Sequence, residues 1–163
     1  MRRTAEIAIA AVYAAMYVAL IAVFPYLSFL QLNVRVANVL KGLVKFWPVG
    51  TLMGNLVAVV VGNYLFSPLG LLDVVLSPLV STGLLAVAYL VGKRSFFVGL
   101  VINAIGLGAY LSWLISMVYG LTFVGLFPLL LAGVAISDVV LPYTLYRSLA
   151  KLKIAQKTFG GRS

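Results

Sequence analysis

Read for its order of apolar and polar positions, the chain is a series of long apolar runs separated by short polar breaks. The runs cover residues 5–24, 49–66, 71–91, 96–118 and 122–146. Each is close to the 20 or so helical residues needed to cross a hydrocarbon core of about 30 Å. One stretch departs from this pattern. Between the first and second runs lies QLNVRVANVLKGLVKFW, which places Arg35, Lys41, Lys45, Asn33 and Asn38 inside an otherwise apolar protein. Its segment 36–47 predicts a sixth, short or tilted helix, because 12 residues at about 1.5 Å each reach only about 18 Å. The first run follows Met1-Arg2-Arg3 like a signal peptide, but it is long for a signal core and has no polar exit with a small-residue cleavage site; we read it as a mature helix.

Composition sharpens this into a class. With 64% hydrophobic and 9% charged residues, the chain has too little polar surface to cover a water-soluble globule. A single integral membrane domain over residues 1–163 is expected, an all-α, polytopic, six-helix transmembrane bundle with a short second helix. The absence of Cys and His excludes thiolate and imidazole metal centres, disulfides and Ser-His or Cys-His nucleophile pairs. No cofactor and no enzymatic activity are expected. The net charge of +9 reads as membrane orientation and contact with lipid rather than nucleic-acid binding, because the basic residues flank apolar helices.

Orientation follows from those residues. Arg2 and Arg3 precede the first helix, Lys93 and Arg94 separate the fourth and fifth, and Arg147, Lys151, Lys153, Lys157 and Arg162 follow the last. They share one side only if the number of crossings between them is even, so segment 36–47 counts as a crossing and both termini are expected in the cytoplasm. Lys41 and Lys45 then mark the cytoplasmic end of the short helix and Arg35 its outer end.

Intramembrane carboxylates are expensive, at about 2.5–3.5 kcal/mol on insertion scales, and usually face a cavity or a partner. Asp138 lies midway along the last helix and Asp73 near the outer edge of the fourth. Asp73 also suits a helix N-terminus, and Asp138 suits a structural pair with a Ser, Tyr or Asn. Arg35, Asn38, Asn63, Tyr64, Tyr110, Trp113 and Tyr119 complete the candidate binding set, although an interfacial aromatic belt accounts equally for any single Tyr or Trp. In the first helix, Ala10, Ala11, Ala14 and Ala15 form small-residue stripes that admit a neighbouring helix, either within the bundle or on a separate membrane partner. No phosphate-binding loop is present, so any use of ATP falls to another chain.

The element Asn33-Val34-Arg35-Val36-Ala37-Asn38-Val39-Leu40 resembles a Gln-x-Arg-x-Ser-Glu-x-Leu element of the substrate-binding subunits of energy-coupling-factor vitamin transporters, most closely the QueT group associated with queuosine precursors. Arg35 and Leu40 match, Asn33 stands for the Gln and Asn38 for the Glu. Asn63 followed by Leu69-Gly70-Leu71-Leu72-Asp73-Val74 resembles that group's Asn helix end and Leu-Gly-x-x-Asp-Val element, and Ser137-Asp138, with Tyr143 downstream, corresponds loosely to its final-helix motif. The resemblance implies six helices, an externally open site for a small molecule that is bound unchanged, and a membrane coupling protein with two ATPases as partners.

For a deazaguanine, one carboxylate can accept from the ring N–H and the exocyclic amine together. Asp73 is the candidate acceptor, Tyr64, Tyr110, Trp113 and Tyr119 the candidate stackers, and Arg35 and Asn63 the candidate orienters. Asn38 in place of Glu favours an uncharged group over an ammonium, since an amide cannot neutralise a cation. An importer subunit for another vitamin and a stand-alone small-solute carrier share this topology. A structural protein would not need the two acids, and an aspartyl hydrolase would need them close together.

Overall fold

In the computed structural model, residues 2–29 and 34–152 are described. Asn33 and the basic residues Lys153, Lys157 and Arg162 lie outside this range. The elements are α1 (Arg2–Val23), the short α2 (Pro25–Phe29), a 3₁₀ helix η1 (Val36–Lys45), α3 (Pro48–Phe66), α4 (Leu71–Val91), α5 (Phe96–Tyr119), α6 (Phe123–Ala135), a π-helical turn (Ile136–Val140) and α7 (Leu141–Leu152). The last three form one continuous helix, Phe123–Leu152, so the described residues hold five helices long and apolar enough to cross a membrane. The expected sixth helix is η1, whose ten residues rise only about 20 Å at about 2.0 Å each.

The most extensive packing joins α1 to α3, and small residues of α3 make it possible. Gly50, Gly54, Ala58 and Gly62 recur every four residues along the α3 face turned to α1. A Cβ on Gly54 would come within 2.8 Å of Tyr13 Cβ, and one on Gly62 within 2.9 Å of Ile21 Cδ1. Backbones in a bilayer gain dispersion contacts from such close approach, which larger side chains would prevent. At the start of α3, Pro48 needs no hydrogen-bond acceptor, and the Glu6 carboxylate accepts from the Gly50 N–H at 2.6 Å, an anion at a helix N-terminus supplied from the neighbouring helix. Asn55 extends the seam into α4, accepting from the Tyr13 hydroxyl at 3.2 Å and donating to Thr82 Oγ1 at 2.9 Å.

Two features depart from regular helix, and both reach the interior. In α7, Pro142 has no N–H to offer the Asp138 carbonyl four residues back, and its ring crowds that oxygen. The ladder widens there, with the Leu141 N–H bonding the Ile136 carbonyl five residues back. In η1, Gly42 lies directly on the Pro142 carbonyl, a contact that a Cβ would obstruct. The short helix thus seats against the wound-out turn that carries Asp138.

Lys45, Lys93 and Arg94 gather at one end. Lys45 Nζ donates to the Gly92 carbonyl at 3.0 Å and lies 5.7 Å from the Phe96 ring centroid, at the turn bearing Lys93 and Arg94. The Tyr146 ring of α7 packs at a tilt against Phe46 and edge-on against Phe96. Glu6 meets the start of α3 just beyond Phe46. The beginning of α1 and the described end of α7 therefore share one end of the bundle, while Arg35, bonded to Asn63 near the far end of α3, starts η1 toward the other.

Candidate functional site

A 3₁₀ helix has three residues per turn, so positions three apart eclipse one another. Along η1 this aligns Arg35, Asn38, Lys41 and Val44 in one row, and all four are buried. Three of the polar residues that interrupted the hydrophobic pattern, Arg35, Asn38 and Lys41, are consequently one stripe facing the centre of the bundle. Lys41 is 1% exposed, so it does not mark a cytoplasmic helix end as the spacing of charges predicts. Lys45, one residue beyond the row, does lie at the basic end.

Opposite this stripe stands Asp138, presented by the π-helical turn and 1% exposed. Oδ1 accepts from Lys41 Nζ at 2.5 Å and from Asn103 Nδ2 at 3.1 Å. Oδ2 accepts from Asn38 Nδ2 at 2.7 Å and from Ser137 Oγ at 2.9 Å. The Tyr17 hydroxyl completes the arrangement by donating to Asn38 Oδ1 at 3.0 Å. A buried ion pair is tolerable only when hydrogen bonds satisfy its remaining lone pairs, and α1, η1, α5 and the π-helical turn each contribute to doing so here.

A second acid, Asp73, is also buried. Asp73 receives the hydroxyls of Ser67 at 2.5 Å and of Ser77, and Ser77 also shares a hydrogen bond with the Tyr110 hydroxyl at 2.9 Å. Asn63 links this cluster to η1: its Nδ2 donates to the Asp73 carbonyl at 3.1 Å and its Oδ1 accepts from Arg35 Nη1 at 3.2 Å.

Between the two clusters is a cavity of about 30 Å³, room for a few waters at most. Its polar wall comprises Arg35, Asn38, Lys41, Ser77, Ser81 and Asp138, its aromatic side is Tyr17, and Val59, Leu107, Leu111 and Val134 close the rest. Apolar walls with a few convergent polar groups are the usual make-up of a small-molecule site. Arg35, Asn38 and Asp138 of the predicted set line it. Asp73 and Tyr110 adjoin it through Ser77, and Asn63 through Arg35. The remaining three are elsewhere: Tyr64, Trp113 and Tyr119 are 73%, 45% and 55% exposed on the outside of the bundle. Among the described residues, sequence reasoning missed Lys41, Tyr17, Ser77, Ser81 and Asn103. The three-residue spacing of Arg35, Asn38 and Lys41 was the available signal for one of them.

The predicted docking alanines divide between two faces. Ala14 packs against the buried cluster of Tyr13, Tyr17 and Leu40, and the Ala10 carbonyl lies against Gly54. Ala11 and Ala15 are exposed.

A protein-family model described as QueT transporter matches residues 7–151, nearly the whole chain. No curated protein and no solved structure matches it.

Proposed function

The chain belongs to the QueT transporter family, and from that premise we propose that it is the substrate-binding membrane subunit of an energy-coupling-factor importer for a queuosine-precursor deazapurine. In this reading ATP is hydrolysed by partner subunits, and the protein binds its solute without altering it. It is a multi-pass membrane protein of a transporter family, and the observation that carries the finer reading is the central cavity. One buried acid, Asp138, two buried cations, Arg35 and Lys41, the Asn38 amide and the hydroxyls of Ser77 and Ser81 line it, and a second buried acid, Asp73, stands behind Ser77. Such polar density inside a bilayer is costly unless it serves a pathway or a ligand.

On this reading Arg35, Asn38, Asp138 and, through Ser77, Asp73 form the solute's polar surroundings, and Tyr110 borders them. Tyr17, rather than the outward-facing Tyr64, Trp113 or Tyr119, is the aromatic group placed at the cavity. Solute pockets typically enclose about 300–1,000 Å³, so the present cavity of about 30 Å³ must widen to admit a bicyclic base. The positive-inside rule assigns the basic end to the cytoplasm. Ala11 and Ala15 face outward from α1, where a coupling protein could pack closely.

Calorimetric titration of the purified chain with a panel of deazapurines and vitamins tests the ligand. Uptake into proteoliposomes with and without a coupling protein and two ATPases tests the mode of energising. Binding of an unrelated vitamin in preference to every deazapurine would sink the first part. Concentrative uptake by the chain alone would sink the second.

A further inference from the structure

We propose that Lys41 sets the charge specificity of the cavity: its ammonium is a tethered cation occupying the place beside Asp138 that a solute's amine would otherwise take. This rests on the cavity being the solute site. It makes Lys41, which the order of charges assigned to a helix end, the specificity-determining residue, ahead of Asn38.

Charge balance is the first ground. The buried charged side chains among the described residues are Arg35, Lys41, Asp73 and Asp138, two cations against two acids. Both oxygens of Asp138 are already engaged, and Lys41 Nζ is its nearest donor at 2.5 Å. A solute bearing its own positive charge would meet a neutralised carboxylate and two fixed cations, Arg35 and Lys41, on the same cavity wall. Like charges repel strongly where water is excluded. A neutral solute with donors and acceptors on its edge can use Asn38, Ser77 and Ser81 and leave the balance unchanged.

Geometry is the second ground. Lys41 reaches Asp138 because the three-residue period of η1 puts it in line with Asn38, which bonds the other oxygen of the same carboxylate. Lys41→Gln keeps an extended polar chain but removes the charge, leaving Asp138 as an uncompensated anion. The altered site then suits an ammonium-bearing solute, whose charge-assisted hydrogen bond would replace the one lost.

The test uses the purified full-length chain as wild type, Lys41→Gln, and Lys41→Gln combined with Asp138→Asn. Binding of an uncharged deazapurine and of its aminomethyl, cationic counterpart is measured by calorimetry. The wild type is expected to bind the uncharged form at least about tenfold more tightly, and Lys41→Gln to gain at least about tenfold for the cation. The double variant should lose that gain. Unchanged cation affinity in Lys41→Gln overturns the proposal.

A second arm needs no deazapurine. Ethylammonium chloride, with sodium chloride as the control for ionic strength, should raise the thermal midpoint of Lys41→Gln and leave the wild type and the double variant unmoved. Should Lys41→Gln not fold alone, it is purified with either salt: recovery in ethylammonium only supports the proposal, and recovery in neither overturns it. A wild type that binds neither deazapurine sinks the proposed ligand, while the ethylammonium response still decides the role of Lys41.

Discussion

Lys41 and Asp138 are 97 residues apart in sequence and 2.5 Å apart in space, each almost completely buried. They come from the two least regular elements of the fold, a 3₁₀ helix and a π-helical turn, which seat against each other where Gly42 meets Pro142. The pair thus joins the irregular backbone to the polar centre of the bundle.

Breaking one side of this pair should be worse than removing both. Asp138→Ala leaves an ammonium buried without its counter-charge, and a loss of about 3–5 kcal/mol is expected. Lys41→Met together with Asp138→Leu should recover most of that stability and still fail to bind solute. Thermal or denaturant unfolding in detergent measures it. A double variant as unstable as the single one would show that the two residues do not act as a unit.

Restoring the N–H at position 142 should move the acid. Pro142→Ala lets the backbone bond the carbonyl of Asp138 and return toward an ordinary helix, which rotates Asp138 relative to η1. Solute affinity is expected to fall by at least about tenfold, since a charged hydrogen bond contributes about 1.5–3 kcal/mol. The thermal midpoint should hold or rise. Calorimetry and a melting curve on the same preparation check both; undiminished binding would mean that the wound-out turn does not position the acid.

Close packing of α1 on α3 makes the glycine seam sensitive. Gly54→Ala places a methyl group 2.8 Å from Tyr13 Cβ, inside van der Waals contact. Overpacking of this kind costs about 1–3 kcal/mol, and Gly54→Leu should prevent folding. The yield of monodisperse protein and its melting temperature are the readouts.

Ala11 and Ala15 should behave in the opposite way. They are exposed on α1, so Ala11→Leu and Ala15→Leu are expected to leave stability and solute binding intact while abolishing uptake by the assembled importer. Equal uptake in variant and wild type would remove the docking role. Loss of solute binding as well would point to packing within the bundle.

Labelling of single cysteines tests orientation on a chain that has none of its own. Gly70 and Gly120 adopt positive φ, at 72° and 66°, and are poor sites for a side chain. The exposed Pro68 and Leu121 next to them serve instead. Cysteines there should react with an impermeant reagent from outside, and one at Arg94 only after the cytoplasmic face is opened. Reaction of position 68 from the inside alone would invert the assignment.

The long apolar runs determined by themselves that this chain is a bundle of membrane helices, because a hydrocarbon core about 30 Å thick demands runs of that length and character. Most boundaries agree to within a few residues, as at Leu71–Val91 and Phe96–Tyr119. Arg35, Asn38 and Asp138 also stood out, since a polar group in an apolar run has a desolvation cost that composition alone exposes. What only the tertiary structure decided was how those groups meet. At 3.6 residues per turn, Arg35 and Val44 fall on opposite sides of a helix; at three per turn they share one face, and Lys41 turns inward with them. The three-residue spacing of Arg35, Asn38 and Lys41 hints at that choice, but the seat against Gly42 and Lys41 is provided by Pro142 and Asp138, about a hundred residues away. Trp113 and Tyr119 stand apart from the cavity for a related reason. The row of Ser77, Ser81 and Leu85 claims the inner face of α4, and Leu107, Leu111 and Leu114 claim that of α5. Trp113 and Tyr119 are left outside, where amphipathic rings suit the membrane interface.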